Sequence, residues 1–186
     1  MNITHIFFEK GNEITRFEQY GNNGAFAVSR NDRTNSQLRY VEIPNDNFYI
    51  GSSCFTNCYN LFNDTKITDD DIYDFFYKIK TFSTSSFALA GEVGSLANKT
   101  IRIKGTARIE GSTFNNVNIG LVELGRLSDP FTLTNLPVFA SGQGPFSKNI
   151  RPGKLPITIH IYVPDENAED SNSWAMRLYN YTANDV

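Results

Sequence analysis

Cysteine, histidine and tryptophan are nearly missing from this chain of 186 residues, which holds two, two and one of them. Two cysteines, Cys54 and Cys58, cannot form a disulfide scaffold, and a chain this long can bury a core without one. Their C-x-x-x-C spacing suits zinc, yet no H-x3–5-H partner accompanies it, so neither a metal nor a cofactor is expected. No run approaches the ~20 apolar residues of a membrane span. Residues 1–9 lack the basic and apolar stretches of a signal peptide, which points to synthesis in a cytoplasm. Neither sign of charge dominates: a net charge of -3 and a pI near 5.4 give no general pull toward phosphate backbones or anionic lipid. Nucleic acid and membrane are therefore not expected partners. G-x-S-x-G, H-E-x-x-H, the Walker loop and G-x-G-x-x-G are all lacking, and no enzymatic activity is expected.

What the chain does have is phenylalanine (15), tyrosine (9) and a 40% hydrophobic fraction, enough for one packed domain over 1–186. Its clearest signal is the run 100–110, where Ile101, Ile103, Gly105, Ala107 and Ile109 alternate with Arg102, Lys104, Thr106, Arg108 and Glu110. Side chains on a strand point to opposite faces in turn, so this run predicts one long strand of a sheet with one dry face. Gly105, inward among isoleucines, marks a bulge, a bend or a close backbone approach. Period two recurs in 157–163 and in 174–179, where Trp174, Met176 and Leu178 point inward. Residues 3–8 and 13–19 flank a Lys10–Asn12 turn and read as a hairpin, and shorter strands are predicted at 25–29, 38–43 and 47–51.

One helix is predicted over 69–80, with Thr68 as N-cap, Asp69, Asp70 and Asp71 in the first turn, and Ile72, Phe75, Phe76 and Ile79 on one face. It is expected to cover a sheet edge or the end of a sandwich. No period of 20 to 50 residues stands out, which argues against a solenoid. The fold class expected is thus all-β, an antiparallel β-sandwich or jelly roll with one amphipathic helix, in three subregions at 1–65, 68–80 and 85–186.

Candidate contacts follow from the outward positions. Arg102, Lys104, Arg108, His160, Tyr162, Arg177 and Tyr179 would form a cationic and aromatic sheet face able to meet carboxylates or acidic glycan. Lys148, Arg151 and Lys154 lie in a long aperiodic loop suited to contact with a neighbouring subunit. The acidic loop 164–170 could hold calcium through carboxylates and carbonyls, and a solvated turn is the preferred reading. Glu110 and Glu123 are the best pair of carboxylates for glycoside hydrolysis, but strand parity sends Glu123 inward unless a bulge intervenes.

Three segments, Lys99-Thr-Ile-Arg-Ile-Lys-Gly-Thr-Ala-Arg-Ile-Glu-Gly111, Pro156-Ile-Thr-Ile-His-Ile-Tyr-Val163 and Ser173-Trp-Ala-Met-Arg-Leu-Tyr-Asn180, resemble the jelly-roll modules of bacteriophage head-fibre, decoration and tail proteins and of bacterial carbohydrate-binding domains. The resemblance implies a non-enzymatic virion component, assembled in the host cytoplasm, that contacts copies of itself and other virion proteins. Its alternative is a carbohydrate-binding module using the cationic face, and the third reading is a small β-sandwich glycoside hydrolase. No site residue is carried over from the resemblance.

Overall fold

The computed structural model describes residues 3–19, 24–29, 31–32, 36–91, 96–136, 143–146, 158–163 and 178. Strands form where apolar alternation demands an inside and an outside, but their partners are not their neighbours in sequence. On one face β1 (His5–Ile6) pairs with β3 (Tyr40–Val41), and β6 (Leu96–Ile103), β8 (Ile119–Leu124) and β9 (Thr158–Ile161) form a second sheet in that order. On another face β2 (Arg16–Phe17), β4 (Phe48–Ile50), β5 (Ile79–Phe82) and β7 (Arg108–Ile109) lie side by side. Every one of these pairings is parallel. Among the described residues the single antiparallel contact is an isolated bridge between Arg126 and Asp129.

The expected antiparallel sandwich or jelly roll is therefore corrected. Arg16, Tyr49, Thr81 and Arg108 stand abreast, 33, 32 and 27 residues apart along the chain. Such spacing is that of a chain winding in coils and laying each coil on the last, ~4.8 Å higher. The expectation that no solenoid-like stack forms is overturned with it. So is the N-terminal hairpin, because β1 and β2 do not pair with each other but each with the next coil.

Between the strands, tight corners carry the core. Phe55, Phe87 and Phe114 each lie two residues after a serine with positive φ (Ser53, Ser85 and Ser112; 55–57°) and two before another left-handed residue, Asn57, Leu89 or Asn116. Backbone N–H groups at these corners point along the stack: Phe26 to Cys54 O (2.9 Å), Phe55 to Ser86 O (2.7 Å), Phe87 to Thr113 O (2.9 Å) and Phe114 to Pro145 O (2.8 Å). The buried corner backbone is thereby satisfied by the next coil rather than by a local ladder. The rings follow, Phe26, Phe55, Phe87, Phe114 and Phe146 stacking at 5.1 to 5.6 Å with interplanar angles of 10–18°. This column runs through a continuous cluster of buried residues that also takes in Phe48, Phe75, Phe76 and Phe82.

The run 100–110 is not one strand. The alternation is real, with Ile101, Ile103, Ala107 and Ile109 all at 0–1% exposure, but β6 ends at Ile103 and β7 belongs to the other face. The chain turns a corner at Gly105 and keeps its parity while doing so. A Cβ at Gly105 would sit 2.1 Å from the backbone oxygen of Asp129, so the bend and the close approach anticipated for this glycine occur together.

The helix α1 (Asp69–Tyr77) begins as predicted. Thr68 Oγ1 accepts from the Asp71 N–H (3.2 Å), while the Asp71 carboxylate accepts from the Thr68 N–H (2.8 Å), a reciprocal capping box. It stops at Tyr77 rather than at 80 because Ile79 and Phe82 are needed in β5, where both are fully buried. It also does not cap an edge or an end. Phe75 packs on Tyr40 of β3 (6.4 Å between rings) and Lys99 of β6 reaches Asp69, so the helix stands between β3 and β6, where the third coil would otherwise lay a strand.

Candidate functional site

The helix leaves one outer surface, formed by α1 and the β6–β8–β9 sheet. Parallel register sets Arg102, Glu123 and His160 abreast in one outward row, with Thr100, Leu121 and Thr158 in the row beside it. Glu123 points outward, the correction to its predicted inward position. The phase changes within β8: Ile119 is buried, Gly120 and Leu121 are both half-exposed, and Val122 and Leu124 are buried again. The partner strand bulges opposite this point, since Leu96 pairs with Ile119 but Thr100 with Leu121.

At that bulge a groove of about 450 Å³ opens, lined by Asn98, Lys99, Thr100, Gly120 and Thr158 among others. Gly120 lets the strands close beneath it, because a Cβ there would lie 2.4 Å from the Ala97 oxygen. Lys99 Nζ at the rim is held 2.5 Å from Asp69.

Beside the groove, Tyr73 and Tyr77 stack one helical turn apart at 5.0 Å. Arg102 lies 5.5 Å over the Tyr73 ring, while Lys104 (5.1 Å) and Arg126 (5.4 Å) lie over Tyr77. Arg102 also donates from Nε to Glu123 Oε2, and Lys104 Nζ is 3.2 Å from Asp46. The hydrogen bond to Glu123 is the main reason the Arg102 guanidinium holds its proton even more firmly than usual. At exposed positions each such contact contributes only about 0.5–1 kcal/mol. Together they fasten the helix to β6 and engage Arg102 and Lys104, two of the cations expected to face a partner, within the chain.

Of the residues grouped from the sequence, Arg102 and His160 share a row and Lys104 lies just beyond the end of β6. Arg108 is on the other face, 3.4 Å from Glu110. Tyr162 follows β9 and is tied by its backbone, donating to Leu124 O (3.0 Å) and accepting from the Phe131 N–H (2.7 Å). Arg177, Tyr179, Lys148, Arg151 and Lys154, like Trp174 and the loop 164–170, lie outside the described residues. Tyr73, Tyr77 and Arg126 were not singled out from the sequence. Their legible signal was a tyrosine pair at i, i+4 off the apolar stripe of an amphipathic helix.

Glu123 lies in β8 and Glu110 just past the end of β7, on different faces of the stack, each beside its own arginine. Among the described residues no group of three histidine, cysteine or acidic side chains could hold a metal. Cys54 and Cys58 are fully buried on either side of Phe55, and Cys58 donates from Sγ to Phe26 O (3.0 Å). Burial pushes the Cys54 thiol up to about 12 and the Cys58 thiol higher still.

The folded chain therefore keeps both thiols protonated while the unfolded chain ionises them at the usual thiol pKa. Their contribution to stability is complete below about pH 8.5 and falls as pH rises from there toward 12. Native protein at pH 8 is expected to resist a thiol-directed reagent and to react with two equivalents once denatured. Fast reaction of the native chain would show that the corners open.

Comparison with protein-family models, curated proteins and solved structures returns no match.

Proposed function

We propose that this protein is a non-enzymatic structural scaffold that acts through contacts between subunits of a larger assembly, a bacteriophage particle being the setting its sequence suggests. The observation that carries this reading is the first coil. Ile3, Phe7 and Ile14 are exposed at 45%, 68% and 37%, and Ile6, Phe8, Phe26 and Val28 are only partly buried. The coils that follow bury the counterparts of the partly buried positions, with Val41 opposite Ile6, and Phe55, Phe87 and Phe114 in the column above Phe26, at 0–1%. A stack of coils needs a polar cap at its end to remain apart from others. Among the described residues no further strand covers this end, and its apolar side chains stand beside the charges of Arg16 and Glu18.

Light scattering across low to high micromolar concentration tests the reading: the mean mass is expected to rise above that of one chain. The groove at the β6 bulge favours a second reading, binding of a glycan through Lys99, Thr100 and Thr158. A chain that remains monomeric, and binds a glycan with an affinity lost in Thr158→Val, would replace the scaffold reading with that one.

A further inference from the structure

We infer that the subunit contact is made by β2, which pairs with β2 of a second copy across a two-fold axis. This rests on the scaffold reading and names its interface. Among the described residues β2 is the outermost strand of its sheet, paired with β4 on one side only. Its bonding to β4 fixes which backbone groups stay free. Tyr49 donates to Thr15 O (3.0 Å) and Gly51 to Phe17 O (2.7 Å), so the alternation along a strand turns the N–H and C=O of Arg16 and Glu18 away from β4, toward the open edge. The flanking position is already closed, because Ile14 donates to Asn12 Oδ1 (3.1 Å) and accepts from Asn45 (2.7 Å).

Two residues with free backbone groups, separated by one without, are what an antiparallel partner centred on Phe17 requires. Arg16 then faces Glu18 of the copy as a hydrogen-bonded pair, Glu18 faces Arg16 in the same way, and Phe17 faces Phe17 between them. Four backbone hydrogen bonds form with no change in β2.

The side chains agree with that register. Arg16 and Glu18 both point outward, 61% and 56% exposed, while Phe17 points into the core. Within one chain the two are already an ion pair at 2.5 Å. Rotation about the two-fold sets each cation opposite an anion, so two copies carry a square of alternating charge across the junction. Edge strands are commonly protected by charges of one sign, which would repel a copy. Here the doublet is of mixed sign and complements itself. The pairing is isologous, closes at two subunits and joins the two four-stranded sheets into one of eight.

Charge reversal tests this directly. Arg16→Glu leaves two anions on the edge and Glu18→Arg leaves two cations, and like charges directly opposite destabilise a strand pair. Each variant alone is expected to dimerise about tenfold more weakly than the native chain. An equimolar mixture of the two is expected to recover a heterodimer of native strength, and so is the double variant. Both side chains are more than half exposed, so native circular dichroism should persist. As a second measurement, the amide protons of Arg16 and Glu18 should exchange more slowly as the native chain is concentrated. A native chain that never exceeds monomer mass overturns the scaffold reading. A native oligomer that both single variants keep, with no added protection at these two amides, overturns the β2 pairing alone.

Discussion

Phe87→Ala is expected to lower stability by about 3–5 kcal/mol, the cost of emptying a large buried site. Phe87 is the middle ring of the column, 1% exposed, with Phe55 at 5.1 Å on one side and Phe114 at 5.6 Å on the other. It also meets Phe75, Phe76 and Phe82 at 5.6–6.2 Å, so the loss removes contacts to three coils and to the helix at once. Its corner cannot collapse to fill the void, because Ser85 and Leu89 hold left-handed backbone on either side and their N–H groups are bonded into the next coil. At about 2–4 °C per kcal/mol for a chain of this size, a fall of about 10 °C in Tm follows. Phe7→Ala, at an exposed ring, is the control and should stay within about 0.5 kcal/mol. Equal falls in the two variants would show that the phenylalanine column does not hold the coils together.

Gly105→Ala should cost about 3 kcal/mol, at the upper end of what overpacking a rigid site usually costs. The added methyl would meet the Asp129 oxygen at 2.1 Å and the Pro130 oxygen at 2.5 Å, and both are backbone. Neither can swing aside. The Gly105 N–H donates to Asp129 Oδ2 (2.8 Å) and its carbonyl accepts from Asn135, so the corner is clamped from the strand and from the facing segment. Gly11→Ala gives the contrast. Gly11 has φ +85° but open space around it, so only backbone strain of roughly 1–2 kcal/mol is at stake. Urea unfolding of both variants separates the effects. A Gly105→Ala protein as stable as Gly11→Ala would mean that the 105 and 129–130 segments are not in contact.

Gly105 also shows why part of the architecture was legible in the sequence and part was not. Alternation along 101–109 reports which side chains face inward, and each of those inward positions is buried. It carries no information about which strand lies alongside or in which direction it runs, and a chain that turns a corner between two sheets keeps the same parity. One long strand and two short ones at an angle therefore share one pattern. In the same way residues 3–19 satisfy a hairpin locally, while the partners chosen, Tyr40 and Tyr49, lie 35 and 33 residues on. The recurring Ser53-Cys-Phe55, Ser85-Ser-Phe87 and Ser112-Thr-Phe114 were a visible sign of coils. Their spacing of 32 and 27 residues drifts, because the coils carry different inserts, one of them α1, and drift conceals a period.

The surface was legible to a similar depth. Arg102 and His160, outward by strand parity, stand in one row of the β6–β8–β9 sheet. Their neighbours Glu123, Tyr73 and Tyr77, which share their charge and contacts, depended on a bulge in β6 and on where the helix lies.

The sequence by itself determined the elements governed by neighbours within a few residues: the N-cap and apolar face of the helix, the inward and outward parity along 101–109, and the close approach at Gly105. Only the tertiary structure decided that the strands run parallel, that the phenylalanines form a column and that β2 is left as an edge. Those features depend on pairing between residues about thirty positions apart. In a stack of coils that pairing is set by how much chain each coil holds, a quantity that no local pattern encodes.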